Sequence, residues 1–156
     1  LTNSEFEDLP GSQAVIQPAT WRDLNGLRHL EQVCFPKDAW PLLDLVGVLT
    51  LPNIVRLKAT VGEMMVGFIA GDIRPHQHLA WIATIGVLPE FRGRGIASML
   101  LKACENRLDM PRIRLCVRVG NLAAIQLYQA ASYQRTAVWK DYYQDHEDAL
   151  VMEKKF

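Results

Sequence analysis

The chain has 156 residues, enough for one compact core and too few for two of ordinary size. Apolar residues make up 49% and charged residues 22%, a globular composition that excludes a disordered tail. Seventeen basic side chains balance seventeen acidic ones, so no net charge attracts nucleic acid or a membrane surface, neither is expected as a partner, and any anion site has to be local.

Residues 1–13, LTNSEFEDLPGSQ, are polar and carry Pro10-Gly11, which predicts a flexible extension ahead of a single domain over 14–156. AVIQPAT reads as a short strand ended by Pro18. Thr20 and Asp23 then offer a helix cap before Leu24, Leu27, Leu30 and Val33 at helical spacing, and Phe35-Pro36 closes that helix. A second helix is predicted from about Trp40 to Leu49, with Pro41 in its first turn. The period then changes. IVRLKATV, Gly62-Glu63 and MMVGFIAGDI read as strand, tight turn and strand. The run over 79–88 is apolar at nearly every position and predicts a central strand covered on both faces. IASMLLKACENRL is a helix with Ile96, Leu100, Ala103 and Leu108 on one stripe. RIRLCVRV is a strand, NLAAIQLYQAAS a helix, YQRTAVWKDYY a strand and ALVMEKK a last strand. The order is βααβββαβαββ, an α/β domain with a mixed sheet.

Three cysteines, Cys34, Cys104 and Cys116, lack metal-ligand spacing and sit in or beside apolar segments, so buried free thiols and no metal are expected. The first residues lack the basic-then-apolar signature of a signal peptide, and a reducing cytoplasm is the expected location.

FRGRGIAS, residues 91–98, stands between a buried strand and a helix. A helix N-terminus there leaves backbone N–H groups unpaired and locally positive, glycine lets the backbone approach an anion, and Arg92 and Arg94 add donors. A phosphate fits such a site. A plain strand-to-helix turn with two solvated arginines is the alternative. The Gly-Lys-Ser/Thr ending of a P-loop is absent, and Ser98 stands where a dinucleotide fingerprint has its third glycine.

Val87-Leu88-Pro89-x-x-Arg92-x-x-Gly95-x-Ala97 resembles the acetyl-CoA motif of the GNAT acyltransferases, Arg/Gln-x-x-Gly-x-Gly/Ala. Val117-Arg118-Val119-Gly120-Asn121, followed by Ala124 and Leu127-Tyr128, is similar to the strand and Asn-x-x-Ala-x-x-x-Tyr helix of that family. Tyr142-Tyr143, followed by Glu147-Asp148-Ala149-Leu150-Val151-Met152, resembles the C-terminal end of its ribosomal-protein-alanine and N-terminal acetyltransferase branch. The resemblance implies the GNAT fold, a largely antiparallel mixed sheet flanked by helices, with acetyl-CoA as cosubstrate and no metal. It further implies that Arg92, Gly93, Arg94, Gly95, Ile96, Ala97 and Ser98 cradle the pyrophosphate, and that the backbone of Ile85 and Val87 pairs with the pantetheine arm. Asn121 contacts that arm or simply caps a helix. Tyr128 meets the cofactor and protonates the leaving thiolate, or, read without the family, packs in the core. Tyr142 and Tyr143 hold the peptide, one facing away from the other if both lie on an alternating strand. Glu31 and Phe35 shape the substrate mouth, or simply end a helix.

The branch often carries Glu where this chain has Cys116, and relatives use Tyr or His at the positions of Trp81 and Cys116. Neither Trp nor an unactivated thiol serves as a base. His76 and His78 read as solvated, which leaves a water held by backbone carbonyls as the expected base. The implied activity is N-acetylation of a protein or peptide amino terminus by direct attack in a ternary complex, in a monomer or homodimer. A small-molecule amine acetyltransferase and a non-catalytic acyl-CoA binding module are the competing readings.

Overall fold

The computed structural model describes residues 13–156, so the predicted extension lies, but for Gln13, outside the described residues. Seven strands, β1 (Val15–Pro18), β2 (Ile54–Val61), β3 (Met64–Arg74), β4 (Leu79–Val87), β5 (Arg112–Arg118), β6 (Gln134–Trp139) and β7 (Ala149–Lys155), form one sheet in the order β1-β2-β3-β4-β5-β7-β6. Four helices complete the order βααβββαβαββ: α1 (Leu24–Cys34), α2 (Leu42–Thr50), α3 (Ile96–Leu108) and α4 (Leu122–Ala130). Among the described residues no helix is long and apolar enough to cross a membrane.

Alternation along the strands divides the core into two layers. Phe68 and Ala70 point to the face covered by α1 and α2 through Leu27, Leu30, Leu45, Val48 and Leu49. Ile69 points to the other face, joined by Val66 because the β2–β3 bulge falls there and breaks the alternation, and on that face α3 lays down Leu100, Leu101, Cys104 and Leu108. A Cβ at Gly71 would stand 2.8 Å from Leu108, so the glycine lets α3 lie close against β3.

Every neighbouring pair of strands is antiparallel except β4 and β5, which are parallel and therefore need α3 as a crossover. Their pairing is short: Ala80 faces Ile113 and Trp81 faces Arg114, and the register ends there. Against β3, Gly71 pairs with Ile82 and Ala70 with Thr84, leaving Ala83 as an extra residue. A bulge of this kind bends a strand and re-aims its side chains. From Ile82 onward β4 and β5 part, and the gap between them is the site described below.

The structure corrects several expectations. Val33 is exposed and Glu31 takes the buried position on α1, because the stripe that meets the sheet runs through Leu27, Leu30 and Glu31. On α3, Ile96, Leu100 and Leu108 are buried as expected and Ala103 packs partly buried against the core, while Leu101 and Cys104 are buried as well, the stripe being wider than the apolar spacing implied. Pro41 caps α2 from outside its first turn. β4 is central as predicted, but Ala83 to Gly86 are not fully buried, because they line the cavity that opens where β5 parts from β4. β6 ends at Trp139, so Tyr142 and Tyr143 lie in the connection to β7 rather than on a strand.

Candidate active site

A cavity of about 610 Å³ opens between the parted ends of β4 and β5, with α1, the start of α3 and α4 around it. Every residue to which the resemblance gives a cosubstrate or acceptor role lines it except Arg94 and Tyr142; Trp81, His76 and His78 do not. Arg94 turns outward, donating to the Glu90 carbonyl at 3.4 Å and lying over the Phe91 ring. Tyr142 is half exposed, its ring packed edge-on against Tyr143 at 5.0 Å. The two tyrosines therefore meet each other, and only Tyr143 reaches the cavity.

The FRGRG turn closes one end. Gly93 and Gly95 have φ of +76° and +79°, the left-handed region, and a Cβ on either would meet nothing within 4 Å. Their role is conformational: they turn the chain so that α3 begins with open space before its first turn. Gly95 caps that helix without any side-chain hydrogen bond, so the first-turn N–H groups have no side chain to satisfy them. Arg92 does not simply rim the turn, since its Nε donates to the Val87 carbonyl at 2.9 Å and ties the turn to the end of β4. That carbonyl also accepts from Cys34 Sγ at 3.4 Å, which leaves the pairing expected of Val87 to its N–H.

Of the groups that bear on proton transfer, Tyr128, Asn121 and Cys116 line the cavity, and Trp81, His76 and His78 lie outside it. Tyr128, on α4, is buried and packs edge-on against Tyr133, whose own hydroxyl donates to Glu105 Oε1 at 3.0 Å. Among the described residues the Tyr128 hydroxyl has no protein partner, and burial pushes its pKa upward, keeping the phenol protonated. Asn121 caps α4 by accepting from the Ala124 N–H at 3.3 Å while lining the cavity, so cap and site coincide. Cys116 is half-buried, and desolvation pushes its thiol up, away from the thiolate that a base requires. Trp81 is packed 6.0 Å from Trp139 with its indole N–H buried and unpaired, a donor that accepts no proton. His76 and His78 are exposed, as expected.

At the other end, Arg118 gathers carboxylates from distant parts of the chain. Its guanidinium donates to both oxygens of Asp38 at 2.8 and 2.7 Å, to Asp145 at 2.9 and 3.0 Å, and to Glu147 at 2.8 Å, and its carbon lies 4.1 Å over the Tyr143 ring. The α1–α2 connection is thereby latched to the segment before β7. Burial pushes the Tyr143 phenol up to about 12, with Cys116 adding to the shift.

The chain is similar in sequence and fold to known proteins. The Acetyltransferase (GNAT) family matches residues 24–133, which include every residue lining the cavity except Tyr143. This chain belongs to the GNAT acetyltransferase family. An N-alpha-acetyltransferase of Saccharolobus solfataricus is 40% identical, over 91% of this chain and 93% of its own. The [ribosomal protein bS18]-alanine N-acetyltransferase of Salmonella typhimurium is 32% identical over 63% of this chain and 69% of its own. Arabidopsis thaliana NAA60, solved in complex with acetyl-CoA, shares the fold with a TM-score of 0.83 at 21% identity, covering 92% of this chain and 100% of that one.

As a GNAT acetyltransferase, the chain shows which residues the sequence left unnoticed. Thr84 hydrogen-bonds Glu31, and Asp38, Asp145 and Glu147 converge on Arg118. Arg118 stood inside a quoted motif, and the acids at 145, 147 and 148 form a visible cluster. Nothing in the spacing joins position 118 to position 38. That contact is made only when α1 and β5 are assembled on the sheet.

Proposed function

We propose that this GNAT acetyltransferase transfers acetyl from acetyl-CoA to the α-amine of a protein or peptide N-terminus. The observation that carries the acetyl-transfer half is Tyr128: a buried, protonated phenol without a protein partner, on the wall of a cavity that begins at an uncapped helix N-terminus. The residues present fit the cosubstrate. Open space before Gly93 and Gly95 suits a pyrophosphate at the start of α3, and the edge of β4 beyond Trp81, unpaired with β5, suits an extended pantetheine arm. The thioester supplies the activated acetyl group. Arg92 holds the turn to β4, Asn121 fixes the start of α4, and Tyr128 donates a proton at the position of the leaving sulfur.

The acceptor follows from proton affinity. An α-amine titrates near 7.7–8.0 and a lysine side chain near 10.4, a gap of about 2.5 units, or roughly 3.4 kcal/mol that an enzyme for lysine must recover. Cys116 and Trp81, at the usual base positions, provide nothing toward that, and a carboxylate base, whose proton affinity lies nearer to an α-amine's than to a lysine's, leaves the gap between the two acceptors in place. The name of the Saccharolobus solfataricus relative also points to the α-amine. Rates on two peptides test the reading, one with a free N-terminus and no lysine, the other N-terminally blocked with one lysine. The first is expected to react faster, and faster turnover of the blocked peptide overturns the acceptor assignment.

A further inference from the structure

Two carboxylates line the cavity, Asp38 and Glu31. Asp38 is engaged on both oxygens by Arg118. Glu31 is only 1% exposed, its Oε1 accepts from Thr84 Oγ1 at 3.0 Å, and the Trp40 backbone favours its ionised form. Among the described residues no Lys, Arg or His pairs with it. A buried carboxylate ordinarily has a cation beside it, because its charge is costly away from water. This one is held by neutral donors alone. Burial pushes its pKa up from the ordinary carboxylate value, with the Thr84 bond and the Trp40 backbone opposing. Packing gives no reason for it: Leu27 and Leu30 share its stripe, and an apolar side chain would fill the same position.

We propose that Glu31 is the base of the reaction, taking a proton from the substrate ammonium at the cavity wall while Thr84 fixes the receiving carboxylate. The proposal rests on the acetyl-transfer reading above and replaces the water expected from the sequence. Thr84 directly follows the bulge at Ala83, on the stretch of β4 that β5 has left, so the carboxylate stands beside the opening between the strands.

The other titratable groups facing this space are Cys34 on α1, Arg92 in the turn, Cys116 and Arg118 on β5, Tyr128 on α4 and Tyr143 before β7. The side chains of α2 and β3 packed against α1 are the apolar Leu45, Val48, Leu49, Phe68 and Ala70. In the transfer, an N–H bond of the ammonium breaks as an O–H bond forms on Glu31. The freed nitrogen pair bonds the acetyl carbon, the carbon–sulfur bond breaks, and sulfur takes the Tyr128 proton. The nitrogen releases one more proton as the amide forms, matching the one delivered to sulfur, and solvent closes the exchange. The net product is one proton, which leaves through Glu31.

The test compares the parent chain with Glu31→Gln and Thr84→Val on a lysine-free peptide with an amino-terminal alanine, across the range in which its α-amine titrates. Glu31→Gln is expected to lower turnover by about 10²–10⁴-fold at the acid end. The deficit should shrink about tenfold per pH unit up to the amine's own pKa of roughly 7.7–8.0, where the substrate no longer needs a base. Thr84→Val removes a donor that favours the ionised carboxylate, so the acid limb of its profile should move upward.

Thermal unfolding gives a readout independent of activity. A carboxylate whose pKa rises on folding contributes stability that is fully present below its unfolded pKa and is lost as pH rises through the folded one. Over that window the melting temperature of Glu31→Gln should therefore gain on the parent as pH rises, with acetyl-CoA binding by titration unchanged. Parent-like turnover and profile in Glu31→Gln overturn the proposal. So does a loss of turnover that is uniform with pH together with a constant melting difference. If the parent prefers the blocked lysine peptide, the acceptor reading fails by itself, and the same variants are then read on that peptide.

Discussion

The turn at Arg92–Gly95 and the latch at Arg118 border one cavity but are built by different means. The turn is local: a few consecutive residues, two of them glycines at positive φ, present backbone and a helix start. The latch is assembled from side chains on three separate segments, Asp38 lying eighty positions before Arg118. Backbone donors in a short turn serve any ligand with the same phosphate group. A side-chain latch can change with the acceptor while the sheet stays intact. The difference explains why the turn announces itself in the sequence while the latch does not. Tyr128 and Glu31 stand between the two regions, where cosubstrate and acceptor would meet.

This contrast can be broken by substitution. The largest effect is expected between the regions, at Tyr128→Phe, which should cut turnover by about 10²–10⁴-fold while leaving acetyl-CoA affinity unchanged, because proton donation acts in the transition state. Steady-state kinetics beside calorimetric titration measures both, and equal losses would make Tyr128 a packing residue. Next comes Gly95→Val. Holding a side chain at a φ of +79° costs about 1–2 kcal/mol, so acetyl-CoA affinity should fall roughly tenfold with the peptide KM little changed. Arg118→Ala should do the reverse. It should raise the peptide KM with acetyl-CoA binding intact, and its stability loss should be about 1–2 kcal/mol, held down because Asp38, Asp145 and Glu147 are each about a third exposed. Arg118→Lys should recover only part of the KM, since an ammonium cannot make the forked bonds. A cosubstrate effect of Arg118→Ala equal to its peptide effect would dissolve the distinction between the regions. The smallest effect is expected at Cys116→Ala, with most activity retained. Near-complete loss without unfolding would return the thiol to candidacy as base.

Much of the fold was legible because it is written in short-range signals. Periods of two and of three to four residues gave all eleven strands and helices in order, and α3 was bounded by its glycine turn on one side and by Leu108 on the other. Errors gathered where burial depends on a partner element. Val33 and Ala103 carry the right spacing but lie at the margins of the faces that meet the sheet. The stretch over 133–143 keeps a strand-like composition beyond Trp139, yet β7 stops pairing with it there.

The sequence by itself determined the element order and the turn at the start of α3, since these depend on neighbours within a few positions, and its resemblance to the GNAT family pointed to the cavity residues from Ile85 to Tyr128. Only the tertiary structure decided the rest. The parting of β4 from β5, the Arg118 latch and the burial of Glu31 beside Thr84 arise from contacts between segments tens of residues apart. A glutamate on an amphipathic helix reads as solvated from its own neighbours. The loss of water around its carboxylate, and with it the change in proton affinity, exists only once α1 is laid against β4.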